Sequence, residues 1–351
     1  MKKNIGILFG GVSSEYEVSC KSAAEILQYI DSNKFNPIKI GITKDGKWLL
    51  TYATNNAIAD GTWINYESNK VIQFEMAGKQ SRVYVIEDED RKELSLDIIF
   101  PILHGKFGED GCIQGLLELL NIPYVGCGVA TSAIGFDKAF TKEIVNELDI
   151  EQAKSIVLYK DEKTIDEQVN EIKEFFNNEY PLFVKPAKEG SSVGITKVTN
   201  LEMISKALKI GYMYDNKLVI EKGVVGREVE VAVLGSKEIK VSNVGEILTD
   251  DFYSYDSKYG EKSVKTAIVV DVDKEIVDEI RNAALKIYRK LECTSLSRID
   301  FFLRNDGTFV FNEINTMPGF TTNSMYPKLW EDKGISYKEL VTTLIMDGIN
   351  K

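Results

Sequence analysis

The sequence has a single histidine, His104, among its 351 residues. A His-rich metal centre is therefore excluded, and a Ser-His-Asp or Cys-His mechanism would have to be built on this one imidazole. Cysteine is scarce too. Cys20, Cys112, Cys127 and Cys293 are scattered with no CxxC spacing. A disulfide scaffold is excluded, a zinc site is not expected, and the four read as buried thiols in a reducing compartment. The chain lacks any run of ~18 apolar residues that could span a bilayer. The apolar stretch 5–9 behind Met1-Lys2-Lys3 is too short for a signal peptide, so a cytoplasmic location is expected. There is no basic block: 43 Lys+Arg stand against 54 Asp+Glu, a formal net charge of −11. That balance argues against nucleic acid or an anionic membrane as the main partner, while allowing a local basic pocket for phosphates.

What is present is an ordinary globular mixture, 44% hydrophobic and 28% charged, long enough for two or three domains at ~150 residues each. Residues 5–9 read as a buried strand closed by Gly10-Gly11. A helix over 15–29 follows, opened by a capping box of Ser14 and Glu17, and then a strand over 36–42. This βαβ opening predicts a parallel sheet with ligands at its carboxyl edge. Residues 54–91 read as irregular and polar with short antiparallel strands. A buried strand over 96–103 leads into His104-Gly105-Lys106-Phe107-Gly108-Glu109-Asp110-Gly111 and a helix over 113–120. From Ser132 onward come a helix through Lys138 to Leu148, a strand 155–159, a helix 165–176 and short strands 181–185 and 195–198. Strands 218–222, 227–234 and 239–247 follow, then a helix 274–291, a hairpin 297–315 and a last helix from about 336. The pattern predicts an α/β fold of three domains, 1–126, 127–217 and 218–351, with a site between them.

The hairpin carries the densest chemistry. With Asp306 and Gly307 as its two turn residues, counting outward sets Asp300 opposite Glu313 and Arg298 opposite Asn315. All four share one face because side chains alternate along strands, with opposed Cβ atoms ~4.5–5.5 Å apart. Two carboxylates and an amide oxygen held that closely suit Mg²⁺ carrying phosphates. The same face also reads as the wet side of an ordinary hairpin whose other face (Ile299, Phe301, Leu303, Val310, Ile314) is apolar. The loop Lys185-Pro186-Ala187-Lys188-Glu189-Gly190-Ser191-Ser192-Val193-Gly194 can bring backbone N–H groups and a lysine to phosphate oxygens. A tight surface hairpin explains its glycines as well, and it is not a P-loop. His104 reads either as structural or as ligand-facing, and Glu15 either as a helix first-turn acid or as a strand-edge ligand group.

Together these segments resemble the D-alanine–D-alanine ligases of the ATP-grasp superfamily, and also the D-alanine–D-serine ligase subgroup. The resemblance rests on Gly10-Gly11-Val12-Ser13-Ser14-Glu15-Tyr16-Glu17-Val18-Ser19, His104 to Gly111, Asp137-Lys138, Phe183-Val184-Lys185-Pro186 through Gly194, Glu221-Lys222 with Gly226-Arg227-Glu228, Phe252 to Tyr259, Arg298-Ile299-Asp300, and Asn312-Glu313-Ile314-Asn315-Thr316-Met317-Pro318-Gly319. These recur in order over nearly the whole chain. It implies an N-terminal substrate-binding domain, two ATP-grasp subdomains clamping ATP, and two Mg²⁺ (or Mn²⁺) ions on Asp300, Glu313 and Asn315. It further implies that Lys138, Lys185 and Lys258 contact phosphates, with Ser191, Ser192 and Val193 in the covering loop. Glu221 and the backbone around Lys222 and Val224 would hold the adenine, and Glu228 the ribose. Glu15 would pair with the first D-alanine's ammonium beside His104. Ser191 and Tyr259 would fix a loop over the site, Arg298 and the Gly319 N–H would meet the oxyanion, and Ser324 the second substrate's carboxylate. Tyr253 and Met325, where the D-serine subgroup tends to carry Phe and Arg, favour D-alanine as second substrate. The family is usually dimeric, so a homodimer is expected.

Overall fold

The structure, a computed structural model, describes residues 2–78, 81–87, 90–248, 265–269 and 271–351. Three sheets organise the chain. The first has the order β6-β5-β4-β3-β2-β1-β7, with β1 Lys3–Gly10, β2 Phe35–Ile42, β3 Trp48–Leu50, β4 Lys70–Glu75, β5 Arg82–Glu87, β6 Asp90–Glu93 and β7 Ile98–Pro101. β1 runs parallel to β2 and β7, as the βαβ opening predicts. Ile5, Ile7, Leu8 and Phe9 of β1 are all buried, the continuous apolar run expected of a strand covered on both faces. The short antiparallel strands expected within 54–91 are present as β4, β5 and β6, the last running on to Glu93. Their alternation is weak because β6 is exposed throughout and β4 buries only Ile72.

Gly10 ends β1 at φ +86, and a Cβ there would lie 2.2 Å from the Ile42 carbonyl oxygen, so the turn requires glycine. The helix that follows, Tyr16–Tyr29, has Glu15 rather than Ser14 as its N-cap, and the Glu15 side chain makes no cap bond. The expected capping box is not formed.

The second sheet has the order β10-β9-β11-β8, from β8 Ser155–Tyr159, β9 Leu182–Pro186, β10 Thr196–Val198 and β11 Lys217–Lys222. Helices Ile165–Phe175 and Ile204–Gly211 cover it with a core that includes Leu158, Ile172, Phe176, Leu208 and Ile220. Because β11 pairs with β8 and β9, a boundary between 217 and 218 would cut this sheet; the sheet ends at Lys222.

The third sheet, β14-β13-β12-β15-β16, is built from β12 Arg227–Leu234, β13 Lys240–Leu248, β14 Lys265–Ile268, β15 Leu296–Leu303 and β16 Phe309–Asn315. Helix Lys274–Lys290 packs on one face. The single helix expected from Ser132 through Lys138 to Leu148 is two, Val129–Phe136 and Lys138–Asn146, broken at Asp137, whose carboxylate caps the second by accepting from the N–H groups of Ala139 and Phe140. The final helices, Met325–Asp332 and Tyr337–Ile349, return to the first domain: Trp330, Leu340 and Leu344 share a core with Ile5, Phe9 and Phe100. The first and third sheets therefore share one hydrophobic core, with Ala232, Leu234 and Leu296 in it as well. Cys20, Cys127 and Cys293 are buried as expected, but Cys112 is exposed.

Candidate active site

Two adjoining cavities meet where the three sheets converge. The larger, of 1240 Å³, is lined by Glu15, His104, Arg298, Asn315, Gly319, Ser324 and Met325 among others. The smaller, of 800 Å³, is lined by Lys185, Ser192, Glu221, Lys222, Val224 and Glu228. Lys138, Ser191 and Glu313 line both, which places them at the junction.

At the first end, the Gly10-Gly11 turn delivers Glu15 to the carboxyl edge of β1, where open α/β sheets bind ligands. Ser13 ties this turn to the next strand's loop: its Oγ accepts from the Glu15 N–H at 3.1 Å and donates to the His104 carbonyl at 2.8 Å. Ser191 Oγ donates to the Glu15 carboxylate from the opposite wall. Two glycines make that approach possible, since a Cβ on Gly105 or Gly190 would lie 2.7 Å from Glu15 Oε2. His104 is buried, its Nδ1 3.1 Å from the Met317 carbonyl and 3.8 Å from Glu109 Oε1. Burial opposes protonation of the ring, but Glu109 and then Glu15 outweigh it and raise the pKa above the ordinary histidine value.

The hairpin places its four polar residues as predicted, by a different route. Arg304 pairs with Thr308, so three residues rather than two form the connection, with Gly307 at φ +86. That alone would shift every pair by one. A bulge at Asn312 shifts the register back, so that Phe301 faces Phe311 while Asp300 faces Glu313 and Arg298 faces Asn315. The bulge also delivers Asn312 itself to the site, where its Oδ1 accepts from Lys185 Nζ at 3.5 Å.

The charges at this end are already paired. Arg298 donates twice to Asp300 at 2.8 Å, and Asn315 Nδ2 donates to Asp300 Oδ2 at 3.0 Å. Lys185 Nζ lies 2.5 Å and Lys142 Nζ 2.9 Å from the buried Glu221 carboxylate. Burial alone would push the Glu221 carboxyl up; Lys185 and Lys142 outweigh it and hold it down at about 2. Lys138 Nζ donates to the Glu189 carbonyl at 2.6 Å and stands 4.0 Å from Glu313 Oε2. Ser191 and Ser192 adopt left-handed backbone, φ 48 and 61, in the loop between β9 and β10, a conformation that costs non-glycine residues energy and concentrates at ligand sites.

Other expected residues occupy lesser positions. Val193 closes its turn by donating to the Gly190 carbonyl at 3.0 Å and lines neither cavity. Lys222 Nζ reaches the Tyr180 carbonyl at 3.2 Å. Ser324 Oγ accepts from the Thr321 N–H at 3.1 Å beside Gly319, and Met325 is buried. Tyr253, Lys258 and Tyr259 lie outside the described residues. Sequence reading missed Asn312, Lys142 and Glu230. Lys142 lies four residues beyond Lys138 on one helix face, and Glu230 two beyond Glu228 on one strand face; Asn312 gave no signal, because a bulge does not show in alternation.

Among the described residues no three His, Cys, Asp or Glu side chains gather as a metal cluster. The donors of the hairpin nevertheless fit Mg²⁺ or Mn²⁺: Asn315 spends its amide N–H on Asp300, which leaves its oxygen as the ligating end beside two carboxylates, and phosphate oxygens with water can complete a hard-ion shell. None of the described helices is long and apolar enough to cross a membrane.

Comparison with known proteins finds relatives along the whole chain. Residues 4–127 match the D-ala D-ala ligase N-terminus family and residues 144–346 the D-ala D-ala ligase C-terminus family. A D-alanine–D-alanine ligase of Caldicellulosiruptor bescii is 44% identical over 100% of this chain and 96% of its own length. Among solved structures, the VanG D-Ala:D-Ser ligase of Enterococcus faecalis superposes with a TM-score of 0.86 at 35% identity, covering 99% of this chain and 100% of that one. The D-alanine–D-alanine ligase of Bacillus anthracis complexed with ATP superposes with a TM-score of 0.72 at 25% identity, covering 99% of this chain and 97% of that one. By sequence and fold, the chain belongs to the D-alanine–D-alanine ligase family.

Proposed function

We propose that the protein joins two D-alanines to D-alanyl-D-alanine at the expense of ATP, through a D-alanyl phosphate. The observation that supports this reading most is the junction itself: Glu313, Lys138 and Ser191 line both the cavity that holds Glu15 and His104 and the one that holds Lys185 and Glu221. A carboxylate is a poor acyl donor. Attack of its oxygen on the γ-phosphorus of ATP forms an O–P bond, releases ADP and converts an oxide into a phosphate leaving group. The amine of the second D-alanine, having lost a proton, then attacks the acyl carbon, and phosphate departs.

Each step asks the chain for positioning and charge neutralisation. Glu15 takes the first substrate's ammonium, and His104 lies beside that substrate. Lys138 and Lys185 meet the phosphates, under the loop of Ser191, Ser192 and Val193. Glu221 and the backbone of Lys222 and Val224 hold the adenine and Glu228 the ribose. Arg298 and the Gly319 N–H receive the oxyanion of the tetrahedral intermediate, and Ser324 the second carboxylate. Two divalent cations held by Asp300, Glu313 and Asn315 would neutralise charge on the transferring phosphoryl group. Tyr259 and Lys258 would complete the covering loop. The assembly is read as a cytoplasmic homodimer, with residues 1–126 as the substrate-binding domain.

D-serine as second substrate is the competing reading. Met325 offers no polar partner to a serine hydroxyl, and it is only 4% exposed, so an arginine there would have to be buried. Curated relatives 41–44% identical to this chain over nearly its full length carry the D-alanine–D-alanine ligase name. An apolar subsite rejects an added hydroxyl by only ~10²-fold. Equal D-alanine and D-serine, with products resolved by mass spectrometry, should yield mostly D-alanyl-D-alanine with a minor mixed dipeptide; a majority of D-alanyl-D-serine would overturn the choice.

A further inference from the structure

Arg298 carries the charge suited to a developing oxyanion, yet its guanidinium is turned onto Asp300 by two hydrogen bonds of 2.8 Å. Asp300 lines neither cavity, while its partners Arg298 and Asn315 line the larger one. Asp300 therefore meets two demands, as counter-ion of Arg298 and as ligand of a divalent cation. A cation that takes up the Asp300 charge leaves a buried guanidinium next to further positive charge, an arrangement strongly disfavoured away from water. A second carboxylate stands in place to answer this. Glu230 of β12 is the register partner of Asp300 across the β12–β15 ladder. It is 5% exposed, and its Oε2 lies 3.1 Å from Arg298 Nε. Of the three acids acting on Arg298, namely Asp300, Glu230 and Glu313, it is the one not expected on the metal. Packing does not call for a carboxylate there, because the flanking Val229 and Val231 fill the core on the opposite face.

We propose that Glu230 is a positioning residue: it retains Arg298 in the site when Asp300 turns to the metal, and it limits how strongly Arg298 competes for Asp300. This rests on the ligase reading above. Neutralising Glu230 leaves Arg298 only the two acids expected on the metal, so Arg298 competes harder for them and metal binding weakens. Once metal is bound, the guanidinium has lost its anchor and transition-state stabilisation falls.

The test uses Glu230→Gln, with Mn²⁺ binding followed by electron paramagnetic resonance in the presence of a non-hydrolysable ATP analogue, alongside steady-state kinetics. Partners one step removed from a metal typically matter by about 10–100-fold. The expected result is an Mn²⁺ affinity lower by roughly tenfold and a kcat lower by about 10–100-fold, with the KM for the first D-alanine nearly unchanged because Glu15 and His104 are untouched. Glu230→Asp, which keeps the charge, should recover most of both and serves if the glutamine variant does not fold. In an Arg298→Ala background Glu230→Gln should add nothing further, since no guanidinium remains to position. Parent-like affinity and kcat in Glu230→Gln, or an undiminished second loss in the Arg298→Ala background, would overturn the proposal. Failure of the ligase reading would appear separately, as a parent protein that makes no dipeptide, and the Mn²⁺ titration reads Glu230 without turnover.

Discussion

The loop-borne and the strand-borne charged groups of the cleft are held by contrasting means. Glu15 and His104 stand on loops at the carboxyl edge of a parallel sheet, fixed by backbone turns and by two glycines that let walls approach the Glu15 carboxylate. Arg298, Asp300, Glu313, Lys185 and Glu221 stand on the faces of antiparallel strands, fixed by ladder register. There, opposite charges are already joined: Arg298 to Asp300 and Lys185 to Glu221. The first end is a shape to be filled, and the second is a charge network that substrate and metal must rearrange. Substitutions at the two ends should therefore fail differently.

The largest effect is expected where the network meets the transferring phosphoryl. Asp300→Ala and Glu313→Ala should abolish ATP turnover while the protein stays folded, because metal stabilisation of that group is worth several kcal/mol. Near-normal phosphate release by either variant at saturating Mg²⁺ would remove the metal assignment. Lys185→Ala should follow, with kcat down by about 10²–10³ as a charge contact to the transition state is lost. A change confined to the KM for D-alanine would place Lys185 at the wrong end of the cleft.

The network also predicts an acid sensitivity. Glu221 is held down at about 2 from an ordinary 4.5, a lowered folded-state pKa, so its contribution of a few kcal/mol is present above pH 4.5 and lost as the pH falls toward 2. Glu221→Gln should thus be less stable than the parent near pH 6 in chemical denaturation, and the gap should close as the pH approaches 2. A gap that stays constant would mean that the two lysines do not hold the carboxylate ionised. The smallest effect belongs to the shape-determined end. Gly190→Ala, which sets a Cβ 2.7 Å from Glu15 Oε2, should raise the KM for the first D-alanine by roughly tenfold, about 1.4 kcal/mol, with the KM for ATP little moved. Equal rises in both would erase the distinction between the ends.

The two ends also differed in how far the sequence disclosed them. The loop-borne acids follow from the Gly10-Gly11 turn after a buried strand and from the glycine-rich stretch after β7, because strand-end chemistry is local. Across the hairpin, the pairing of Asp300 with Glu313 was readable only because two departures cancel, a connection one residue longer than a tight turn and a bulge at Asn312. Neither leaves a trace in apolar alternation. The break at Asp137 escaped because a capping carboxylate inside an otherwise helical stretch looks like one more polar position. The alliance of Lys142 with Glu221 and Lys185 depends on a helix meeting a sheet, which local pattern does not encode.

The central claim is that both ends serve one acyl phosphate, and the fate of a carboxylate oxygen tests it most directly. With D-alanine labelled by ¹⁸O in both carboxylate oxygens, ATP and Mg²⁺, the released phosphate is analysed by mass spectrometry. The account predicts one labelled oxygen in each phosphate formed with a dipeptide, carried across when the acyl–oxygen bond breaks. Dipeptide formed together with unlabelled phosphate would contradict it, since the carboxylate would then never have been phosphorylated.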